Sequence, residues 1–476
     1  MRNIILIIIG TLCFGSLSGQ TFQRFLDRLN SLPEPQRQAV VDSFMNAVQI
    51  FPYTEMDTVV HFVYFQNAQT VTMAGDATEW VADKSFTRIS GCTFWYYTTS
   101  YEADARLDYK LVIDGTNWIL DPKNPYTCMG GFGPNSELRM PAYAVAPETA
   151  YYGNIPHGTL MDTVFHSNFL GNNRTVTIYL PPGYNTGNLT YPVILFHDGP
   201  DYITLGKTNN ILDYLISKSQ IVPVIGVFVP PVDRTAEYAG NKIDLFTRFI
   251  IEELMPVIDA RYRTSMDSSK RAMAGASNGG NISLYIGMKH PGKFGKIAAQ
   301  SSNVINSINN TFASGPKLNL ELYLDIGTYD LAELIPMVRN LRNILEAKNY
   351  LFQYFEWHEG HSWGNWSGHL KLPLIQFFSS PGGFNQPTLR NDIRLEQNRP
   401  NPFFGQTTIP FLAPAGEKVE LILSDMSGRM IETIYSGSVS TSNNSLEYYH
   451  RQNPGQFICT LRSAGYQISR IITSIR

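Results

Sequence analysis

A chain of 476 residues is too long for one hydrophobic core, so roughly two to four domains are expected. With 43% hydrophobic and 12% aromatic residues it can fill real cores, which excludes a largely disordered chain. A formal net charge of −3 gives no electrostatic reason to expect a nucleic acid or an anionic membrane as partner, and small or neutral ligands fit better.

Residues 1–19 read as a secretory signal peptide: Arg2 is basic, an apolar run follows from Ile4 to Ile9 and on to Leu12, and small residues close it. Cleavage near Ser18 or Gly19 leaves Gln20 at or close to the mature N-terminus. No later stretch reaches the roughly 18 apolar residues needed to span a bilayer. Cys13 leaves with the signal, and Cys92, Cys128 and Cys459 remain without zinc-ligand spacing. Export allows a Cys92–Cys128 disulfide. Residues 20–57 read as a helical arm broken at LPEPQ, with Phe22, Phe25, Leu26 and Leu29 at three-to-four spacing.

From 58 to 145 the period changes to short strands with turn signals, among them TVVHFVYF, FWYYTTSY and LDYKLVIDG, which predicts a small β-sandwich. The order AGDATEW, YKLVIDGTNWILDPKNP, GFGPNS resembles the glycogen-binding type of carbohydrate-binding module. That resemblance implies sugar stacking by Trp80 and Trp118, since an aromatic face matches the C–H face of a pyranose. The other reading makes both tryptophans core or interdomain aromatics.

Residues 150–382 alternate apolar strands with amphipathic helices, which implies a mostly parallel sheet covered on both faces. Chemistry then collects at the carboxyl ends of the strands. RAMAGASNGGNIS holds a G-x-S-x-G frame, Gly275, Ser277 and Gly279, between a strand and a helical run, the setting of a nucleophile elbow. A serine hydroxyl needs a base within reach. Asp330 follows the strand LNLELYLDIG, and HEGHSWGNW follows the strand YLFQYFEW. His361 is preferred over His358 because Gly360 lets the loop turn before it. Asp325 and Glu359 are the rival acids. The oxyanion donors are expected from the amide of Asn278 and from the loop HDGPDY, where Pro200 has no N–H and Asp198, Gly199 or Asp201 must serve; Gly199 is preferred. His197, Asp198, Asp201 and Tyr202 around that loop, with Trp363 and Trp366 after the histidine, are candidate substrate contacts. Arg234, Glu237 and Tyr238 in DRTAEY read as a loop anchor.

These motifs, with RTVTIYLPPGY, LFHDGPDY, HPGKFG and GTYD, resemble the esterase D-like group of α/β-hydrolases, which includes enterochelin and feruloyl esterases. The resemblance implies a doubly wound α/β-hydrolase sheet, a triad of Ser277, His361 and Asp330, and carboxylic ester hydrolysis with neither metal nor cofactor. The tail 390–476, with NPF, TTI and SDMSGRMI, resembles the C-terminal sorting domain of the bacterial type IX secretion system. It implies a small β-sandwich, that secretion machinery as partner, a Bacteroidota-type source and a secreted or cell-surface destination. The fold expected is therefore α/β, with a β-sandwich on either side of the hydrolase sheet.

The favoured substrates are feruloyl or acetyl esters on polysaccharide. A siderophore esterase is the alternative among enzymes, weakened by the lack of a lysine or arginine cluster in these loops to meet anionic catecholates. A non-catalytic surface glycan-binding protein is the alternative from another class.

Overall fold

The computed structural model describes residues 22–48, 50–380, 393–425, 430–450, 454–463 and 466–475, and the expected signal peptide lies outside them. Helices Phe22–Ser31 and Glu34–Ala47 are separated at Pro33. Their apolar stripe, Phe22, Phe25, Leu26 and Leu29 with Phe44, closes on Phe51, Val63 and Phe94 of the sandwich. Phe25 stacks on Phe44 at 3.9 Å between ring centroids, and Phe22 stacks on His61 at 4.0 Å.

One sandwich sheet runs in the order Tyr53–Glu55, Val59–Tyr64, Trp95–Ser100, Thr87–Arg88. The other is centred on Arg106–Ile113, flanked by Val71–Gly75 and by Gly133–Arg139. Leu107, Tyr109, Leu111 and Ile113 alternate along the central strand and meet Val60, Phe62 and Tyr64 across the core, the period of two that a strand requires.

The hydrolase sheet places the parallel strands Ile225–Val229, Val193–His197, Arg271–Ala276, Lys296–Gln300, Glu321–Tyr329 and Leu351–Gly360 side by side. The antiparallel pair Thr159–Ser167 and Asn172–Leu180 closes one edge. Val193–His197, Ile225–Val229 and Arg271–Ala276 are buried at every residue, as strands covered by helices on both faces must be. One covering core contains Phe246, Ile250, Ile282 and Leu341, the other Leu212, Leu215, Trp363 and Phe377.

The boundary between sandwich and hydrolase departs from the expected pair of separate units. Glu359, near the end of Leu351–Gly360, pairs in parallel with Arg106, so the hydrolase sheet continues into the sandwich as one 14-stranded sheet. A single pairing at a strand end leaves no trace in the periodicity of either strand.

The Cys92–Cys128 disulfide that export allows is absent from the structure, where Cys92, Cys128 and Cys459 are all free. Cys92 is buried in the core shared with the helical arm, whereas Cys128 lies on the strand Thr127–Gly130 of the opposite sheet. The described residues between 393 and 475 form a three-stranded and a five-stranded sheet around Ile409, Phe411, Leu421, Leu423 and Leu461. Among the described residues no helix is long and apolar enough to cross a membrane.

Burial pushes the thiols of Cys128 and Cys459 up to about 12, which makes thiolate scarce at neutral pH. Thiol reagents should therefore label Cys128 and Cys459 slowly in the native protein, and Cys92 slowly because it is buried, with all three labelled fully in denaturant without reductant. Labelling that rises only after reduction would contradict free cysteines.

Candidate active site

Ser277 links the buried strand Arg271–Ala276 to helix Asn278–Lys289 with φ 57° and ψ −124°, a conformation that L-residues seldom adopt. The strain is held on both sides. The Ser277 amide donates to the Gln300 carbonyl at 2.9 Å, and its carbonyl accepts from the amides of Gly280 at 3.0 Å, Asn281 at 3.2 Å and Asn303 at 3.3 Å. The flanking glycines are required by contact and not by φ. A Cβ on Gly275 would lie 2.1 Å from the Gly279 carbonyl oxygen, and one on Gly279 would lie 2.9 Å from the Asp198 carboxylate.

Two further strands deliver an acid and a base to the same end of the sheet. Asp330, which follows Glu321–Tyr329, is buried, and its Oδ1 lies 2.7 Å from Nδ1 of His361, which follows Leu351–Gly360. Nε2 is then the ring nitrogen directed away from the carboxylate. The His361 ring meets Trp366 edge-on at 4.9 Å, and Trp366 Nε1 donates to Ser301 Oγ at 3.0 Å. Ser301 belongs to the short 300–303 loop that also holds the Ser277 backbone. The imidazole therefore packs against the tryptophan that is hydrogen-bonded to the loop holding the serine backbone. Among the described residues no hydrogen bond joins Ser277 Oγ to the His361 ring, so the direct contact within this set is His361 with Asp330.

The rival groups are occupied elsewhere. His358 Nδ1 lies 2.7 Å from Asp104 of the sandwich, and this hydrogen bond pushes the imidazole upward. Asp325 is fully buried, held by Tyr323 Oη at 2.9 Å and by the Ser301 amide at 3.2 Å, and burial pushes it up to about 6.

In the loop after Val193–His197, the Asp198 amide donates to Tyr238 Oη at 3.0 Å and the Asp201 amide to the Asp198 carbonyl at 3.0 Å. The Gly199 amide and the Asn278 amide each begin a helix and have no hydrogen-bond acceptor among the described residues. Those two remain available to an oxyanion.

The expected substrate contacts are rearranged. The Asp198 carboxylate is engaged by both Arg234 Nε and Nη2 at 2.8 Å, and Nη2 also donates to the Ala276 carbonyl at 3.2 Å, so Arg234 ties the Asp198 loop to the Ser277 turn. His197 is fully buried against Tyr238 and Phe246, without a hydrogen bond to either ring nitrogen, and belongs to the core. Desolvation pushes it down to about 3. Tyr202 is 1% exposed, with Oη donating to Gln300 Oε1 at 3.2 Å. Trp363 packs against Tyr202 at 5.1 Å and against Trp366 at 5.0 Å, and at 8% and 7% exposure the two tryptophans back the histidine more than they face solvent. Of the sandwich tryptophans, Trp118 is 45% exposed and Trp80 is half-buried.

Sequence reasoning missed Arg106, Asp76 and Glu102, sandwich residues that touch the histidine and acid loops. The one signal was the pair of charged residues, Arg106 and Asp108, at the start of a strand whose later residues are largely apolar.

Residues 167–377 match the Esterase family. The chain is 30% identical over 236 residues to the uncharacterized protein YjcH of Bacillus subtilis, an alignment covering 46% of this chain and 95% of that protein. It is 30% identical over 216 residues to the endo-1,4-beta-xylanase/feruloyl esterase of Xylanibacter ruminicola, covering 42% of this chain and only 29% of that longer protein. The solved enterobactin esterase of Shigella flexneri superposes with a TM-score of 0.59 at 21% identity, covering 71% of this chain and 97% of the other, a likeness of fold.

Two outcomes follow from this geometry. Gly275→Ala should cost at least about 1–3 kcal/mol of stability, because the added methyl meets the backbone of Gly279 and Gly280 at the start of the following helix, and it should remove most ester hydrolysis; thermal melting with a rate assay checks both. For His197 the folded value lies below the unfolded value of about 6.5. Its contribution is therefore complete above that pH and is lost as pH falls toward about 3. Between pH 7 and pH 5, the melting temperature of wild type should fall more than that of His197→Leu.

Proposed function

The chain belongs to the Esterase family, and we propose that it is a secreted serine esterase working through Ser277, His361 and Asp330. The observation that carries this reading is the 2.7 Å bond from Asp330 to His361 Nδ1, at the same end of the parallel sheet as a serine in a strained strand-to-helix turn. With Nδ1 engaged by the carboxylate, Nε2 is the nitrogen that takes the proton as Ser277 Oγ attacks the ester carbon. Asp330 fixes the ring and stabilises the imidazolium without taking the proton itself. The amides of Asn278 and Gly199 receive the developing oxyanion. The proton passes to the departing alcohol, and water hydrolyses the acyl-enzyme by the same sequence in reverse.

Feruloyl or acetyl esters on polysaccharide are the substrates this reading favours. The similarity to a xylanase/feruloyl esterase supports it, as does the exposed ring of Trp118 on the sandwich, the kind of face that stacks on a sugar ring. Within the same reading residues 1–19 direct export and residues 390–476 address the protein to type IX secretion. The fold shared with an enterobactin esterase favours a siderophore ester as the second substrate class. Against it, Arg234, which reaches the carbonyl beside Ser277, is already paired with Asp198.

Ser277→Ala should lower hydrolysis of p-nitrophenyl acetate by at least roughly 10³-fold while the fold is kept. Equal rates in the variant and the wild type would refute the mechanism. Mass spectrometry of products released from feruloylated arabinoxylan, acetylated xylan and a ferric catecholate separates the substrate classes, and release from the catecholate alone would overturn the polysaccharide assignment.

A further inference from the structure

Arg106 is a sandwich residue with no exposed surface, and each of its guanidinium nitrogens has a partner. Nε donates to Glu137 Oε1 at 2.7 Å and Nη2 to Asp108 Oδ1 at 2.7 Å, both within the sandwich. Nη1 donates instead to Ser362 Oγ at 2.9 Å, on the residue that follows His361. The two sandwich carboxylates already neutralise the guanidinium, and the third bond satisfies its buried Nη1 with a residue of the hydrolase and not of the sandwich.

The other contacts of Arg106 fall on the same short segment. Glu359 Oε2 lies 4.0 Å from Nη1, and a Cβ on Gly364 would lie 2.0 Å from the guanidinium carbon. Ser362 also caps helix Trp363–His369, its hydroxyl oxygen accepting from the Asn365 amide at 3.4 Å. Before the histidine, a Cβ on Gly360 would lie 2.0 Å from the Asp76 carboxyl carbon, so the sandwich touches residues on both sides of His361. The acid loop is held from the same direction, where Tyr329 Oη donates to Glu102 Oε2 at 2.7 Å and its ring meets Tyr101 edge-on at 5.7 Å.

We propose that Arg106 is a positioning residue for His361, so that the N-terminal sandwich is a working part of the catalytic site. The inference rests on His361 being the general base. The backbone of 359–364 is clamped between the guanidinium, which spans Glu359, Ser362 and Gly364, and the Asp76 carboxyl at Gly360. The imidazole is then fixed from its backbone side by Arg106 and from its ring side by Asp330. A displacement of about 1 Å in such a group costs on the order of 10²-fold in rate.

The test uses the full chain and p-nitrophenyl acetate, a small ester that reports on the chemistry and not on glycan binding. Ser362→Ala removes the cross-domain bond and leaves the carboxylate pairs of Arg106 intact. It should lower kcat roughly tenfold at unchanged KM, and Ser362→Thr, which keeps the hydroxyl, should recover most of the loss. Arg106→Lys should lose about 10–10²-fold in kcat at a similar KM, and guanidinium ion added to Arg106→Ala should restore part of the rate. A merely structural arginine would lower the melting temperature of these variants and leave the kcat of the folded fraction alone. Folded Ser362→Ala with the wild-type kcat would overturn the inference even where Arg106 variants do not fold. If Ser277→Ala still abolishes hydrolysis in that case, only the positioning role falls; if wild-type hydrolysis does not depend on Ser277, both readings fall.

Discussion

The backbone of Ser277, held at φ 57° and ψ −124°, is the constraint around which this molecule is arranged. Such a conformation costs on the order of 1–3 kcal/mol and persists only where its surroundings over-determine it. Here they do. Gln300 and Asn303 fix the peptide groups on either side of the residue, and Gly275 and Gly279 let strand and helix approach where any side chain would collide. Arg234 then binds the Ala276 carbonyl and the Asp198 carboxylate together, which joins the nucleophile turn to the loop bearing Gly199. Parallel pairing of the central strands brings these turns to one end of the sheet, where Asp330 and His361 also emerge.

The same sheet does not end with the hydrolase. Through the Glu359–Arg106 pairing it continues into the sandwich, and the contacts around that join fall on the loops carrying the acid and the base. A sandwich joined in this way is more than a module on a linker. Its strand order, its buried arginine and its Asp76 carboxyl all bear on where one imidazole lies. Burial, reinforced by the nearby Asp108 charge, pushes Asp76 well above the usual carboxylate range.

Much of the architecture was legible in the sequence because it depends on periodicity. The three-to-four spacing of Phe22, Phe25, Leu26 and Leu29 and the unbroken apolar strands of the hydrolase each specify one way to bury a face. The glycine frame around Ser277 was legible for a related reason, since close backbone approach admits no other residue. What could not be read depends on distance across the chain. His197 looks polar beside a catalytic loop, yet its strand alternation points it into the core against Phe246. Asp198 reads as a substrate contact until Arg234 is placed opposite it. Gly360 was read as a turning residue, whereas the structure requires it for the approach of Asp76, a residue 284 positions earlier (360 − 76). Cys92 and Cys128 likewise share a module without sharing a neighbourhood.

The central claim is that Ser277 is a nucleophile activated by His361. It is tested most directly by treating the full chain with a fluorophosphonate probe and mapping the adduct by mass spectrometry. The account predicts one phosphonylated serine, in the peptide containing Ser277, with labelling suppressed in His361→Ala. An adduct on another residue, or labelling at Ser277 that is indifferent to the loss of His361, would contradict it.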